Sequence, residues 1–333
     1  MSARSMSPMP LEAGIGSPPL LRPVDEEEAA RLSPWPFRLA GREAWQPSAK
    51  RSGSARAEYD SGWYADLLDA WQRFLEAAPP APRHPGMAFR FFDALRRANN
   101  AAMQRHPEIY GDVSLDAYLV SAADQLYAAD LNVFEAWWRN LLVERVAWAH
   151  EAAPFGTLAE IGCGSGVNLL TMYSRLPVNR IAGCDISPNA VDAVRRIASD
   201  LAIPAAMRVG DFLQPETLQA LVPASGSWAL LSVHALEQVA RLGMEWFERV
   251  VALQPPPAIA VHCEPIQWGD GSPFAMSCAR YAALNGYNQD LAAASRAAES
   301  AGLIRTIRTE RRVLGHSAYN PTSILMWVPA RSA

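Results

Sequence analysis

Two rhythms divide this chain. Between residues 63 and 149 apolar positions recur three and four apart, the spacing of helices that bury one face. Residues 63–77 set Leu67, Leu68, Trp71 and Leu75 on one side. Residues 87–104, 115–127 and 132–149 predict three further helices. The last carries a broad arc of Phe134, Trp138, Leu141, Leu142, Val146 and Trp148, wide enough to touch neighbours on two sides. Asn132 and Glu135 have the spacing of a capping box. Arg145, inside the arc, is expected to pair with a carboxylate.

Beyond residue 157 the rhythm changes. Short apolar runs end at Glu160 and at Asp185, and others cover 206–209, 228–231, 258–261 and 323–328. Runs this short, with helical segments between them, predict strands of a largely parallel sheet in an α/β fold. Ahead of both regions, residues 1–23 are rich in Ser and Pro and are expected to lack ordered structure. The acids at 25–28 favour a short helix start, and 46–56 reads as linker. The expected division is a largely disordered extension over 1–56, a helical cap or lid over 57–131, and a core over 132–333.

Composition narrows the class. Half of the 333 residues are hydrophobic, enough for a sizeable core. The net charge is −4 with no basic stripe, so nucleic acid is not an expected partner. No apolar run approaches the length of a membrane span, and the N-terminus has no signal-peptide core, so a cytoplasmic protein without a membrane partner is expected. The cysteines Cys163, Cys184, Cys263 and Cys278 show no C-x-x-C spacing and read as packed thiols. The only lysine is Lys50, so a lysine base in the core is excluded.

One stretch carries the chemistry. After Glu160 come Gly162, Gly164 and Gly166 at alternate positions, and a helical segment starts directly after them. Glycine supplies the backbone angles of a tight strand-to-helix turn and lets a ligand approach the main chain. The next run ends in Asp185, where an acid can accept both hydroxyls of a ribose. An adenosine-containing ligand is therefore expected at the carboxyl edge of the sheet. The spacing is G-x-G-x-G, and Val167 stands where a dinucleotide-binding G-x-G-x-x-G has its third glycine.

This pattern resembles the class I S-adenosylmethionine-dependent methyltransferases. Further matches follow in order: Gly210-Asp211-Phe212, the segment Ser232 to Val239, and Ala301-Gly302-Leu303 before the penultimate strand. The resemblance covers about residues 150–329. It implies a Rossmann-like seven-stranded sheet with strand seven antiparallel, here with an N-terminal helical cap. It implies S-adenosylmethionine as cofactor, with Glu160, Gly162 and Gly164 around the methionine moiety. Asp185 would then hold the ribose, Asp211 the adenine amino group, and Ile186 and Phe212 the faces of the adenine ring.

The expected activity is methyl transfer to oxygen or nitrogen of a small-molecule substrate in specialised metabolism; a homodimer stays open. Carbon methylation of an enolisable acid, perhaps metal-assisted, is one alternative. A catalytically silent S-adenosylmethionine-binding partner protein is another. Family members acting on planar amide or base nitrogens usually carry Asn/Asp-Pro-Pro-Tyr where this chain has Ser232-Val233-His234-Ala235. His234, His262 and His316 fall at strand ends and are candidate bases, since histidine titrates near neutrality. Of these, His234 with Glu237 also reads as a simple helix cap. His234, His262, Glu264 and His316 are the alternative metal ligands, although no compact spacing supports a metal.

Overall fold

The computed structural model describes residues 20–32, 64, 66–78, 82–105, 114–316 and 319–330. Residues 1–19, the linker at 46–56 with Lys50, and Trp63 lie outside the described residues.

The elements run β1 (Arg22–Pro23), α1 (Glu26–Leu32), α2 (Leu67–Ala77), α3 (Gly86–Arg105), β2 (Tyr118–Ala122), β3 (Gln125–Ala129), α4 (Leu131–Ala152), β4 (Thr157–Ile161), α5 (Val167–Tyr173), β5 (Arg180–Asp185), α6 (Pro188–Asp200) and β6 (Ala205–Val209). They continue with α7 (Pro215–Gln219), β7 (Trp228–Val233), a 3-10 turn at Leu236–Gln238, α8 (Gly243–Val251), β8 (Ile259–Glu264), α9 (Pro273–Leu284), α10 (Leu291–Ser300), β9 (Ile304–Gly315) and β10 (Thr322–Pro329).

All these strands join one sheet in the order β1-β3-β2-β9-β10-β8-β7-β4-β5-β6. The stretch from β9 to β6 is the expected seven-stranded arrangement, with β10 antiparallel to both β8 and β9. The sheet has 10 strands rather than seven. The three extra strands come from the N-terminal region. Residues 115–127, expected as a helix, form the β2–β3 hairpin instead, and β2 adds to the end of β9 through Ser121↔Gly315 and Ala122↔Leu314. Arg22–Pro23 then pairs with β3.

Alternation along the strands feeds two cores. Leu158, Leu231 and Val261 point to the face covered by α4, α5 and α6. Ala159, Leu230 and Trp327 point to the face covered by α8 and α10. Trp71 of α2 and Phe91 and Phe92 of α3 lie in the first of these cores. The Trp71 indole also donates to Asp200 of α6 at 2.9 Å. These helices pack into the main body, and the expected helical cap is not confirmed among the described residues.

The cap of α4 also differs from expectation. Asp130, not Asn132, accepts the Val133 N–H at 2.9 Å, which frees Asn132 and Glu135 to bond residues of α3. Arg145 pairs with Glu310 of β9 at 2.8 Å, as its place within the arc predicts. All four cysteines are buried free thiols.

Candidate active site

The turn after β4 is built by backbone angles that L side chains rarely adopt. Gly162, Gly164 and Gly166 have φ of 60°, 49° and 71°. There is also no room for a side chain. A Cβ on Gly162 would stand 2.6 Å from the Cβ of Ala235, and one on Gly166 would meet Val194 at 2.6 Å. A Cβ on Gly164 would meet the Tyr64 hydroxyl at 2.5 Å. Tyr64 was not singled out from the sequence, and an isolated tyrosine far from the motif gives no signal that could have found it.

Glu160 is fully buried behind the turn. Its Oε1 accepts from Asn168 Nδ2 at 2.8 Å, while Oε2 has no hydrogen-bond partner among the described residues. Burial raises its pKa to about 8, with Asp185 and Glu264 adding to the effect. Asp185 closes the same turn from the next strand. It accepts the Gly164 N–H at 2.8 Å and the Ser187 N–H at 2.9 Å. Ile186 follows it, half-exposed. Beyond β6, Asp211 accepts the Leu213 N–H at 2.8 Å. The Phe212 ring stands edge-on to Trp246 at 5.8 Å and borders Gly162. Glu160, Asp185, Asp211 and Phe212 therefore gather around the carboxyl ends of β4, β5 and β6.

The three histidines have different surroundings. The strand expected to end at residue 261 runs on to Glu264, and His262 is consequently 0% exposed inside the sheet. Its Nδ1 lies 2.9 Å from Ser232 Oγ, and its Nε2 accepts from Trp327 Nε1 at 2.9 Å. An indole N–H can only donate, so the His262 proton sits on Nδ1 and the ring is neutral. Burial pulls its pKa down to about 3. This corrects the expectation of His262 as a strand-end base, because the ring is fully buried within the sheet and its pKa is too low to take a proton at neutral pH.

His316 follows β9. Its ring is edge-on to Trp138 at 4.6 Å and to Phe134 at 5.9 Å. Its Nε2 is buried without a partner among the described residues, and burial lowers its pKa to about 4. Residues 317–318 of the following turn lie outside the described residues.

His234 takes a positive φ of 53° directly after β7, which swings its side chain toward β10. Its Nε2 lies 2.7 Å from Thr322 Oγ1, and its Nδ1 lies 3.4 Å from Glu237 Oε2. Trp138 Nε1 donates to the same Thr322 oxygen at 3.2 Å. In the neutral ring Thr322 then donates to Nε2, and the Nδ1 proton faces the carboxylate. Burial opposes charge on His234, but the Glu237 carboxylate outweighs it and holds the pKa above the ordinary value. Asn320 and Gln238 each donate to Glu237 at 2.9 Å and fix its position.

The capping function expected of His234 and Glu237 belongs to Glu264. Its carboxylate accepts the N–H groups of Ala235, Leu236 and Glu237 at 3.1, 3.1 and 3.2 Å. Its pKa is raised to about 7 by burial. Among the described residues no three His, Cys, Asp or Glu side chains are grouped to hold a metal ion, so His234, His262, Glu264 and His316 do not form the ligand set considered from the sequence.

Residues 158–248, from β4 into α8, match the family model described as a methyltransferase domain. That span carries the glycine turn, Asp185 and Asp211, on strands in the expected order. The chain carries a methyltransferase domain, consistent with the class I S-adenosylmethionine-dependent methyltransferases. Its methyl donor is S-adenosylmethionine. Among curated proteins, the methyltransferase is 27% identical to the ribosomal RNA small subunit methyltransferase C of Stutzerimonas stutzeri (strain A1501), over 70% of each chain. Among solved structures it is similar to an O-methyltransferase from neocarzinostatin biosynthesis, with 16% identity and a TM-score of 0.36 over 59% of this chain. It spans only 58% of that structure's chain. It is also similar to a geranyl diphosphate C-methyltransferase from Streptomyces coelicolor A3(2), with 14% identity and a TM-score of 0.43 over 60% of this chain and 79% of the other.

Proposed function

We propose that this methyltransferase acts on a hydroxyl of a small molecule held beside His234, with His234 as the base. When bound, S-adenosylmethionine supplies an electrophilic methyl carbon on a sulfonium. The chain must hold it, align the acceptor and take the acceptor's proton. The observation that carries this reading is the run from Glu237 through His234 to Thr322 and Trp138. It lies next to the glycine turn, since Ala235 packs on Gly162. Glu237 orients His234 and raises its basicity, and the His234 side chain keeps 28% of its surface exposed to meet an acceptor. His316, held near pKa 4, is too weak a base at neutral pH.

For the donor, we assign Glu160, Gly162 and Gly164 to the methionine moiety, Asp185 to the ribose, Asp211 to the adenine amino group, and Ile186 and Phe212 to the ring. The unpartnered Oε2 of Glu160 supports this, because a buried acceptor there fits an ammonium donor. Asp185 already accepts two backbone N–H groups. A carboxylate has about four acceptor sites, so ribose hydroxyls can add to them. Tyr64 closes the turn from the side of α2. The helical segment within 57–131 contributes α3 and the hairpin to the surroundings of the acceptor.

The ribosomal RNA relative favours a second reading, an RNA base as acceptor. Against it stand the segment Ser232 to Ala235 in place of Asn/Asp-Pro-Pro-Tyr and the net charge of −4. The test follows S-adenosylhomocysteine release with a panel of small phenols and hydroxy acids and, separately, with ribosomal RNA. Turnover is expected with the small acceptors only. His234→Ala should lower kcat by about 10² to 10⁴-fold, the usual range for a general base, with cofactor affinity unchanged. Glu237→Gln should move the acidic limb of the pH–rate profile down toward the ordinary histidine value. Turnover on RNA alone, or full activity in His234→Ala, overturns the reading.

A further inference from the structure

We propose that the acceptor carries a carboxylate, held by the Arg139 guanidinium with His316 beside it, in the neighbourhood of Trp138 and His234. This rests on the reading of the space beside His234 as the acceptor site, and it names the substrate class.

Arg139 lies on α4, one turn beyond Glu135, its natural partner at four residues' spacing. Glu135 is already taken. Its Oε2 accepts from Arg96 Nη1 at 2.9 Å and from Asn100 Nδ2 at 2.8 Å. Asp93, the other carboxylate of this cluster, accepts from Arg96 at 2.6 Å and from Arg97 at 2.9 Å. Three guanidiniums therefore share two carboxylates, and Arg139 is the one left over. Its Nε is buried with no hydrogen-bond partner among the described residues. Burial, and then the positive charge of Arg96, act against its ionised form. Glu135 and Asp93 favour its charge, but both are bonded to other side chains, and a half-buried guanidinium is ordinarily paired directly.

The second orphan is close by. His316 Nε2 is also buried and unpartnered, and the Arg139 charge is near enough to act on that ring. Trp138, next to Arg139 in sequence, lies edge-on to His316 at 4.6 Å and edge-on to His234 at 6.1 Å. Two unsatisfied nitrogens and the base thus gather around one indole. A flat acceptor with an anionic group at one end and a hydroxyl at the other fits that arrangement. The anion is a carboxylate rather than a phosphate monoester. The site offers one surplus positive charge, His316 is neutral, and the only lysine is Lys50. An Arg fork suits a planar carboxylate.

The test reads binding, not turnover, so a failure of His234 as base would leave it unaffected. The protein saturated with S-adenosylhomocysteine is titrated calorimetrically with aromatic hydroxy acids, among them 2-hydroxybenzoate, each paired with its uncharged amide. The acids are expected to bind at least 10-fold more tightly than their amides. Arg139→Gln should abolish that preference, while Arg139→Lys should keep part of it. Thermal unfolding checks that each variant is folded. Equal binding of acids and amides by the wild-type protein overturns the proposal whatever the variants do. An undiminished preference in folded Arg139→Gln overturns it as well.

Discussion

On the proposed assignment, Glu160 couples cofactor binding to pH through one buried atom. Its carboxyl stands at about 8 when its ordinary value is 4.5, because burial penalises the charged form and Asn168 offsets only part of this. A cationic group set against Oε2 favours the ionised form, so binding expels a proton whenever the pH is below about 8. Affinity for S-adenosylmethionine should therefore rise as pH is raised from about 6 to 8 and then level off. Glu160→Gln should bind more weakly and lose the dependence. Calorimetry in buffers of different ionisation enthalpy measures the proton release directly; a flat profile in the wild-type protein would remove Glu160 from the cofactor site. The same linkage has a sign for folding. The native state holds a proton that the unfolded chain has released, so the Glu160 contribution to stability falls as pH rises from 4.5 through about 8. The residue scale is also where the sequence was least legible. Histidines at strand ends were visible as a class, but their roles depend on how far β8 runs and on the φ of His234, neither of which leaves a local pattern. Glu264, three chain positions beyond the expected strand end, turned out to do the capping.

At the scale of elements, β4 to β8 and β10 were legible as short apolar runs, whereas β9, rich in Arg and Thr, was expected only from the family resemblance. The β2–β3 hairpin was not legible. Its two-residue loop is Ala123 and Asp124, with φ of 45° and 69°, a turn for which Asn-Gly or Asp-Gly is the usual sequence signal. Alanine there disguises the turn, and the apolar residues on both sides mimic a helix. What holds the hairpin is long-range: Arg312 of β9 bonds the Asp124 carboxylate through Nε and Nη2 and reaches Asp270 at 2.6 Å. Since β2 shares only two register pairs with β9, this clamp should matter. Asp124→Ala is expected to raise amide hydrogen exchange across residues 118–129 while leaving the amides of β4 and β7 protected. Asp124 is 45% exposed, so the global loss should be small, about 1 kcal/mol. Unchanged exchange in the hairpin would show that packing of Tyr118 and Val120 holds it without the clamp.

For the whole molecule, the question is whether the N-terminal helices are a separable lid or part of the body. The sequence pattern reads as a helical cap or lid that also packs on the core, and nothing local says which surface its apolar faces meet. The packing supplies one. Trp71 is 1% exposed, stacks on Phe74 at 5.6 Å and on the edge of Phe91 at 5.1 Å, and reaches across to Asp200. Asp200 in turn is shared with Arg83 at 3.3 Å and Arg196 at 3.0 Å, so α2, the segment before α3, and α6 meet at one carboxylate. Removing a buried Trp side chain costs about 3 to 5 kcal/mol, and here that loss falls on the shared core. Scanning calorimetry should accordingly show α2 and α3 melting with the sheet, and Trp71→Ala should lower that common transition by several degrees. A detachable lid would behave differently: a small early transition would shift in the variant while the main one stayed in place. That outcome would return residues 57–131 to an independent cap and would loosen the link between α3, which carries Arg96 and Asn100, and the acceptor site on α4.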